Sequence, residues 1–246
     1  MLLIRSFLFF VVMVVTAIVF ALLAIFTYPF KFPTRYRFIS QWARFNIWWL
    51  EVTCRLRYEV EGVENLPKET AIVFCKHQSA WETLALQLIC PPQTWVLKRE
   101  LLRVPFFGWG LAMLEPVAID RASGRKALQQ LVTQGTERLE SGHWIIIFPE
   151  GTRMPPGKRR RFGFGAAKLA EKSGHVVVPI AHNAGDYWRR RSFIKHPGTI
   201  KVKIGPPIDT KGRKAAEINE EAEAWIAKAM TEITGVVEEV VERKKR

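Results

Sequence analysis

Residues 144–153 read WIIIFPEGTR. Trp144–Phe148 is an unbroken apolar run, mostly β-branched, and Pro149 and Gly151 stop it at once. A strand that is apolar on both faces belongs inside a sheet covered by helices on each side. VVVPIA at Val176–Ala181 has the same character. Further out, β-rich runs at Tyr58–Val63, Ala71–Cys75, Thr94–Leu97, Pro116–Ile119 and Thr199–Ile204 alternate with helical periodicity. The helical stretches are Trp81–Ile89, Leu101–Met113, Lys126–Leu139 and Ala166–Lys172, and in the third Leu128, Leu131, Val132 and Leu139 share one face. This alternation predicts an α/β domain over about residues 58–210, with a mostly parallel central sheet flanked by helices.

The 246 residues leave room for one such domain and an appendage, but not for two large domains. With 48% hydrophobic and 24% charged residues, a disordered chain is excluded. Cys54, Cys75 and Cys90 are too few and too scattered for a disulfide scaffold or a zinc site, and they read as buried free thiols. A formal charge of +14 calls for an anionic partner, either nucleic acid or a phospholipid surface.

The N-terminal residues favour the phospholipid surface. Phe7–Phe30 contains no charged residue, and as a helix it measures about 36 Å against a hydrocarbon core of about 30 Å. A signal peptide is the competing reading, but its apolar region is shorter and ends in small residues, whereas this run exits into Tyr28, Pro29 and Phe30. Arg5 alone precedes the run and Lys31, Arg35, Arg37 and Arg44 follow it, which predicts a retained span with the rest of the chain in the cytoplasm. Over residues 36–55, Phe38, Trp42, Phe45, Trp49 and Val52 make an apolar stripe. It suits a helix lying among lipid headgroups, or alternatively a core helix of the soluble body. Residues 1–57 are therefore expected to form a membrane anchor. Residues 211–246 read as a charged helical tail, closed by the basic cluster Arg243–Arg246. Nucleic acid is disfavoured, because the aromatic residues gather near the apolar span and do not interleave with a basic face.

Two stretches bear chemistry. In CKHQSAWET, His77 follows a strand and Glu82 opens the next helix. A carboxylate beside a histidine fixes its tautomer and stabilises the imidazolium, as a general base requires. Ser79–Glu82 is also a capping-box pattern, so Glu82 has a purely structural alternative. LKRELLRVPFFGWG gathers Lys98, Arg99 and Arg103 around a turn. In PEGTR, Gly151 allows close backbone approach to a ligand and Arg153 offers a fork to phosphate. No nucleotide phosphate loop and no serine-nucleophile elbow occurs. His182, after VVVPIA, stands at a strand end, where a lone histidine is usually structural.

In this order the pieces resemble the glycerolipid acyltransferase family. Its H-x4-D block is matched by His77 with Glu82 in place of Asp, and its K-x2-L-x3-P-x2-G segment by Lys98, Leu101, Pro105 and Gly108. F-P-E-G-T-R is matched in full by Phe148–Arg153, and the V-P-hydrophobic strand by Val178–Ile180. Asp120-Arg121 resembles the family's I-D-R, and the resemblance spans about Tyr58 to Gly205. It implies transfer of an acyl chain from acyl-CoA or acyl-carrier protein to the sn-2 hydroxyl of a 1-acyl-glycerol-3-phosphate, giving phosphatidic acid. In that scheme His77 is the general base and Glu82 its partner. Lys98, Arg153 and Arg121 hold the acceptor phosphate, while Glu150, Gly151 and Thr152 position the acyl group or the oxyanion. No metal and no cofactor is implied. The expected setting is the cytoplasmic face of the inner membrane. Another lysolipid acceptor, or a non-catalytic basic lipid-binding protein, are the alternatives on the same residues.

Overall fold

The structure is a computed structural model that describes residues 1–120 and 122–242. Seven strands form one sheet: β1 (Leu56–Glu61), β2 (Ile72–Cys75), β3 (Gln93–Lys98), β4 (Val117–Ile119), β5 (Trp144–Ile147), β7 (Val177–His182) and β8 (Gly198–Ile204). A two-residue pair, β6 (Lys158–Arg159) with β9 (Glu239–Val240), stands apart. The sheet order is β1-β8-β7-β2-β5-β3-β4, and every neighbouring pair is parallel except β7 with β8. The expected mostly parallel sheet is the one that forms.

Alternation along each strand feeds two cores. Val73, Cys75 and Ile146 face a layer made by α1 (Leu2–Ile25), α2 (Phe32–Cys54) and α3 (Trp81–Ile89). Ile72, Phe74, Ile145 and Ile147 face α5 (Arg125–Glu140), α6 (Phe164–Ser173) and α8 (Ala215–Thr234). Two short helices, α4 (Phe107–Ala112) and α7 (Ala184–Tyr187), follow a 3-10 turn (Arg99–Arg103) and β7 respectively. The single helix expected over Leu101–Met113 is thus divided. Pro105 separates its two parts, and Gly108 lies so close to the Leu102 carbonyl that a Cβ would meet it at 2.4 Å.

The N-terminal segment differs from its expected form in two ways. α1 begins at Leu2, five residues before the charge-free run, because Arg5 interrupts the run without opposing a helix. It ends at Ile25, ahead of the turn that carries Pro29. α2 starts at Phe32, with Pro33 in its first turn, where the missing N–H is harmless, and ends on left-handed Arg55. Its buried face is Phe32, Tyr36, Ile39, Ala43, Ile47, Leu50 and Cys54, while Trp42, Phe45 and Trp49 flank it half-buried. The core-helix reading of α2 therefore describes its packing. Phe9 and Ala43 share one hydrophobic cluster with Ile146 and Val178, so a boundary at residue 57 cuts through a continuous core.

The stretch after residue 210 is helical as expected over Ala215–Thr234, but it packs against the sheet. Ile218, Ala222, Ile226 and Met230 of α8 are buried on the second face of the sheet. β9 then returns the chain to the loop after β5. The Arg243–Arg246 cluster lies outside the described residues. All three cysteines are buried and free, as expected.

Candidate active site

The C-terminal ends of β3, β5, β2 and β7 lie side by side, where open parallel sheets present ligand-binding loops. β2 delivers Lys76 and His77, β5 the Phe148–Arg153 turn, β3 Lys98 and β7 His182.

His77 is fixed from several directions. Its Nδ1 lies 2.8 Å from Glu82 Oε1. Glu82 is fully buried and also accepts the N–H groups of Gln78 and Ser79 at 2.9–3.1 Å. An ionised carboxylate only accepts, so it selects the Nδ1–H tautomer and leaves Nε2 as the basic nitrogen. The Ser79 N–H bond is the glutamate half of a capping box; Ser79 Oγ accepts the Trp81 N–H at 3.1 Å, and the N-cap position itself, Ala80, has no side-chain cap. One carboxylate thus starts α3 and orients the imidazole. Burial alone would raise the Glu82 pKa, but the His77 hydrogen bond, the nearby His182 and the Ser79 amide together hold it below the usual carboxylate value. The His77 ring stacks on Phe148, centroids 4.0 Å apart and planes within 15°.

The backbone of His77 is held by the neighbouring strand. Its N–H donates to Glu150 Oε2 at 3.0 Å, and its carbonyl accepts the Met154 N–H at 2.7 Å. Glu150 therefore acts on His77 from behind. Its other oxygen pairs with buried Lys76 Nζ at 3.0 Å, which also reaches Glu238 at 2.9 Å and the Lys158 carbonyl at 3.1 Å. Behind Lys76, His182 Nε2–H donates to the Lys76 carbonyl at 2.9 Å, and its Nδ1 accepts the Ala184 N–H. Burial pushes the His182 pKa down. Lys76 and Glu238 were not singled out from sequence, since Lys and Glu are by default exposed.

A cavity of about 390 Å³ opens at His77. His77, Lys98 and Arg153 line it together; the rest of its wall is largely apolar, including Trp95, Leu111 and Phe148. Ala17, Phe20, Ala21 and Ala24 of α1 close one side. Neither Lys98 nor Arg153 is in an ion pair among the described residues. Gly151 and Thr152 are not on this wall. Gly151 adopts φ +73°, a conformation glycine tolerates best, and its N–H donates to the Phe148 carbonyl at 2.9 Å, so it shapes the turn and is not offered to an oxyanion. Arg121 lies outside the described residues.

An oriented base beside an apolar cavity, with two unpaired cations at the same wall, is equipment for an enzyme acting on an amphiphile with an anionic head. The pattern that defines the Acyltransferase family matches residues 57–183, and the chain belongs to that family. It is 48% identical over 242 residues to the 1-acyl-sn-glycerol-3-phosphate acyltransferase of Pseudomonas aeruginosa, covering 96% of this chain and 94% of that one. It is 32% identical over 178 residues to the chloroplastic 1-acyl-sn-glycerol-3-phosphate acyltransferase LPAT1 of Arabidopsis thaliana, 71% of this chain but about half (49%) of that protein. The crystal structure of the 1-acyl-sn-glycerophosphate (LPA) acyltransferase PlsC from Thermotoga maritima superposes with TM-score 0.80 at 24% identity, over 100% of this chain and 98% of that one, and shares its fold.

Proposed function

We propose that this protein transfers an acyl chain from an acyl thioester to the sn-2 hydroxyl of 1-acyl-glycerol-3-phosphate, giving phosphatidic acid and a free thiol. The 48% identity to a 1-acyl-sn-glycerol-3-phosphate acyltransferase across nearly the whole chain supports the reaction. The observation that carries the mechanism is the Glu82-bound His77 at the mouth of an apolar cavity that also bears Lys98 and Arg153. His77 Nε2 takes the hydroxyl proton as the oxygen attacks the thioester carbonyl. The tetrahedral intermediate then collapses, the C–S bond breaks, and the imidazolium returns the proton to the leaving sulfur. Oxyanion stabilisation needs donors aimed at the developing charge. With the Gly151 amide engaged by Phe148 and Thr152 off the cavity wall, the Arg153 amide takes that place in this reading. Lys98 and Arg153 receive the acceptor phosphate, and the apolar wall receives an acyl chain.

The membrane enters through α1, which among the described residues is the one helix long and apolar enough to cross a bilayer. Its outward residues, among them Leu8, Val15, Val19 and Leu22, are exposed. Yet the helix touches the α/β body near both ends: Ser6 Oγ accepts the Lys195 N–H at 2.9 Å, and Ala21 packs on Gly110 of α4. A perpendicular crossing would drag that body through the hydrocarbon. The reading favoured here lays the exposed face of α1 in one leaflet on the cytoplasmic side of the inner membrane, so that the cavity meets the headgroup plane.

The test is thiol release from an acyl thioester in detergent micelles, with and without lysophosphatidate, for wild type and His77→Ala. The expected result is acceptor-dependent release that falls by about 10²–10⁴ in the variant. Acceptor-dependent release that survives the substitution would remove His77 as the base. Release that requires a different lysolipid would overturn the acceptor.

A further inference from the structure

Residues 188–195 join α7 to β8 and read WRRRSFIK. Arg189, Arg190 and Arg191 are all exposed, and none is in an ion pair among the described residues. The loop is fastened to the N-terminal half of α1. Lys195 is 2% exposed, its N–H is bound to Ser6 Oγ, and its Nζ lies 4.8–5.2 Å from the ring centroids of Trp188, Phe193 and Phe9. The Phe9 ring meets Trp188 edge-on at 5.4 Å, and Phe193 packs on Phe10 at 5.5 Å. Phe193 and Phe10 are nevertheless 38% and 40% exposed, next to Phe7 and Val11 on the outward face of α1. The same loop reaches the candidate active site, since Arg190 Nη1 donates to the Arg153 carbonyl at 3.2 Å.

We infer that residues 188–195 form a headgroup-binding loop for anionic phospholipid. Phe193 extends the apolar face of α1, and Arg189 and Arg191 meet lipid phosphates beside it. This rests on the placement of α1 in lipid argued above. An interfacial element combines an apolar ring that enters the acyl boundary with cations that stay at the phosphates, and here both are locked to one apolar helix. Exposed arginines would equally attract an acidic protein, but Phe193 is continuous with the exposed apolar face of α1, a run of apolar surface that suits lipid better than an acidic partner. The loop thereby registers the cavity wall at Arg153 against the membrane plane.

Vesicle co-sedimentation of the full chain tests this, using phosphatidylcholine vesicles and the same vesicles doped with phosphatidylglycerol. The variant is Arg189→Gln/Arg191→Gln, which leaves Arg190 on the Arg153 carbonyl. Wild type should bind neutral vesicles through α1 and doped vesicles more tightly, the increment vanishing at high salt. The variant should lose roughly tenfold or more of that increment while keeping neutral-vesicle binding and thiol release in neutral micelles. An increment that survives in the variant, or is missing in wild type, would overturn the loop's role and leave α1 in place. Failure of wild type to bind either vesicle would overturn the placement of α1 and the loop with it. Variant-sensitive binding to acyl-carrier protein in place of vesicles would reassign the arginines to a protein partner.

Discussion

His77 and Ala21 line the same cavity, and the chain holds them by different means. His77 is tied by ring, ring face, N–H and carbonyl to Glu82, Phe148, Glu150 and Met154, groups that come from the segment after β5 and the start of α3. Ala21, on the α1 side, is held by apolar packing alone, with Gly110 opposite it. The contrast fits what the proposed reaction asks of each wall. Moving a proton requires a nitrogen oriented within hydrogen-bonding tolerance, and only directional bonds supply that. A hydrocarbon chain asks for area and width, which contact supplies without direction.

The strongest way to break this comparison is Glu82→Gln. The amide keeps the size but has one accepting oxygen for the His77, Gln78 and Ser79 donors, and it cannot stabilise an imidazolium. Thiol release should fall by about two to three orders of magnitude with little change in the thioester KM. Glu82→Asp keeps the charge one methylene shorter and should retain more activity than Glu82→Gln. If Glu82→Gln turned over like wild type, the carboxylate would be only a helix cap and the directional wall would have no catalytic meaning.

Much of this was legible in the chain itself, for a physical reason. Strands such as Trp144–Ile147 and Val177–His182 carry an apolar signal on both faces that few other environments produce. His77 and Glu82 were legible because only four residues separate them across a strand-to-helix turn. The role of Glu150 was legible only in part: its motif marked the turn, but the bond to the His77 N–H joins residues 73 apart and has no local signature. Lys76 and Glu238, 162 residues apart, are paired only through the β6–β9 return. The stripe on α2 was visible, but its neighbour was not, and a half-buried Trp42 looks the same against lipid as against α1, where its Nε1–H donates to Thr16.

The apolar wall is sharpened by Ala21→Phe. The ring should fill part of the cavity and shorten the chain the site accepts. Long-chain thioesters should lose about tenfold in kcat/KM while short ones lose little, in keeping with about 0.8 kcal/mol for each methylene denied burial. The ratio between chain lengths is what is read, so a general loss of folding does not mimic it. Equal losses at both lengths would take the acyl chain out of this cavity.

The smallest expected effect separates the two walls by pH. His182 is buried with its pKa pushed down, so the unfolded chain takes up the proton first as pH falls below about 6.5. Its contribution to stability is therefore complete above that value and declines toward the lowered folded one. Glu82, also held low, contributes fully above about 4.5 and loses this as pH falls through its own folded value. Melting temperature should thus drop by a few degrees in mild acid and then more steeply. His182→Asn should flatten the first stage, whatever it does to the level at neutral pH. His143, lowered by burial at the opposite end of β5, keeps part of the slope, and Glu238, raised by burial, opposes it. Both cancel in the difference between variant and wild type. Ala21→Phe should follow the wild-type slope, because nothing on its wall titrates in this range. A His182→Asn slope equal to wild type would mean that the folded chain protonates the imidazole as readily as the unfolded one, so that losing the Nδ1 acceptor for the Ala184 N–H carries no cost.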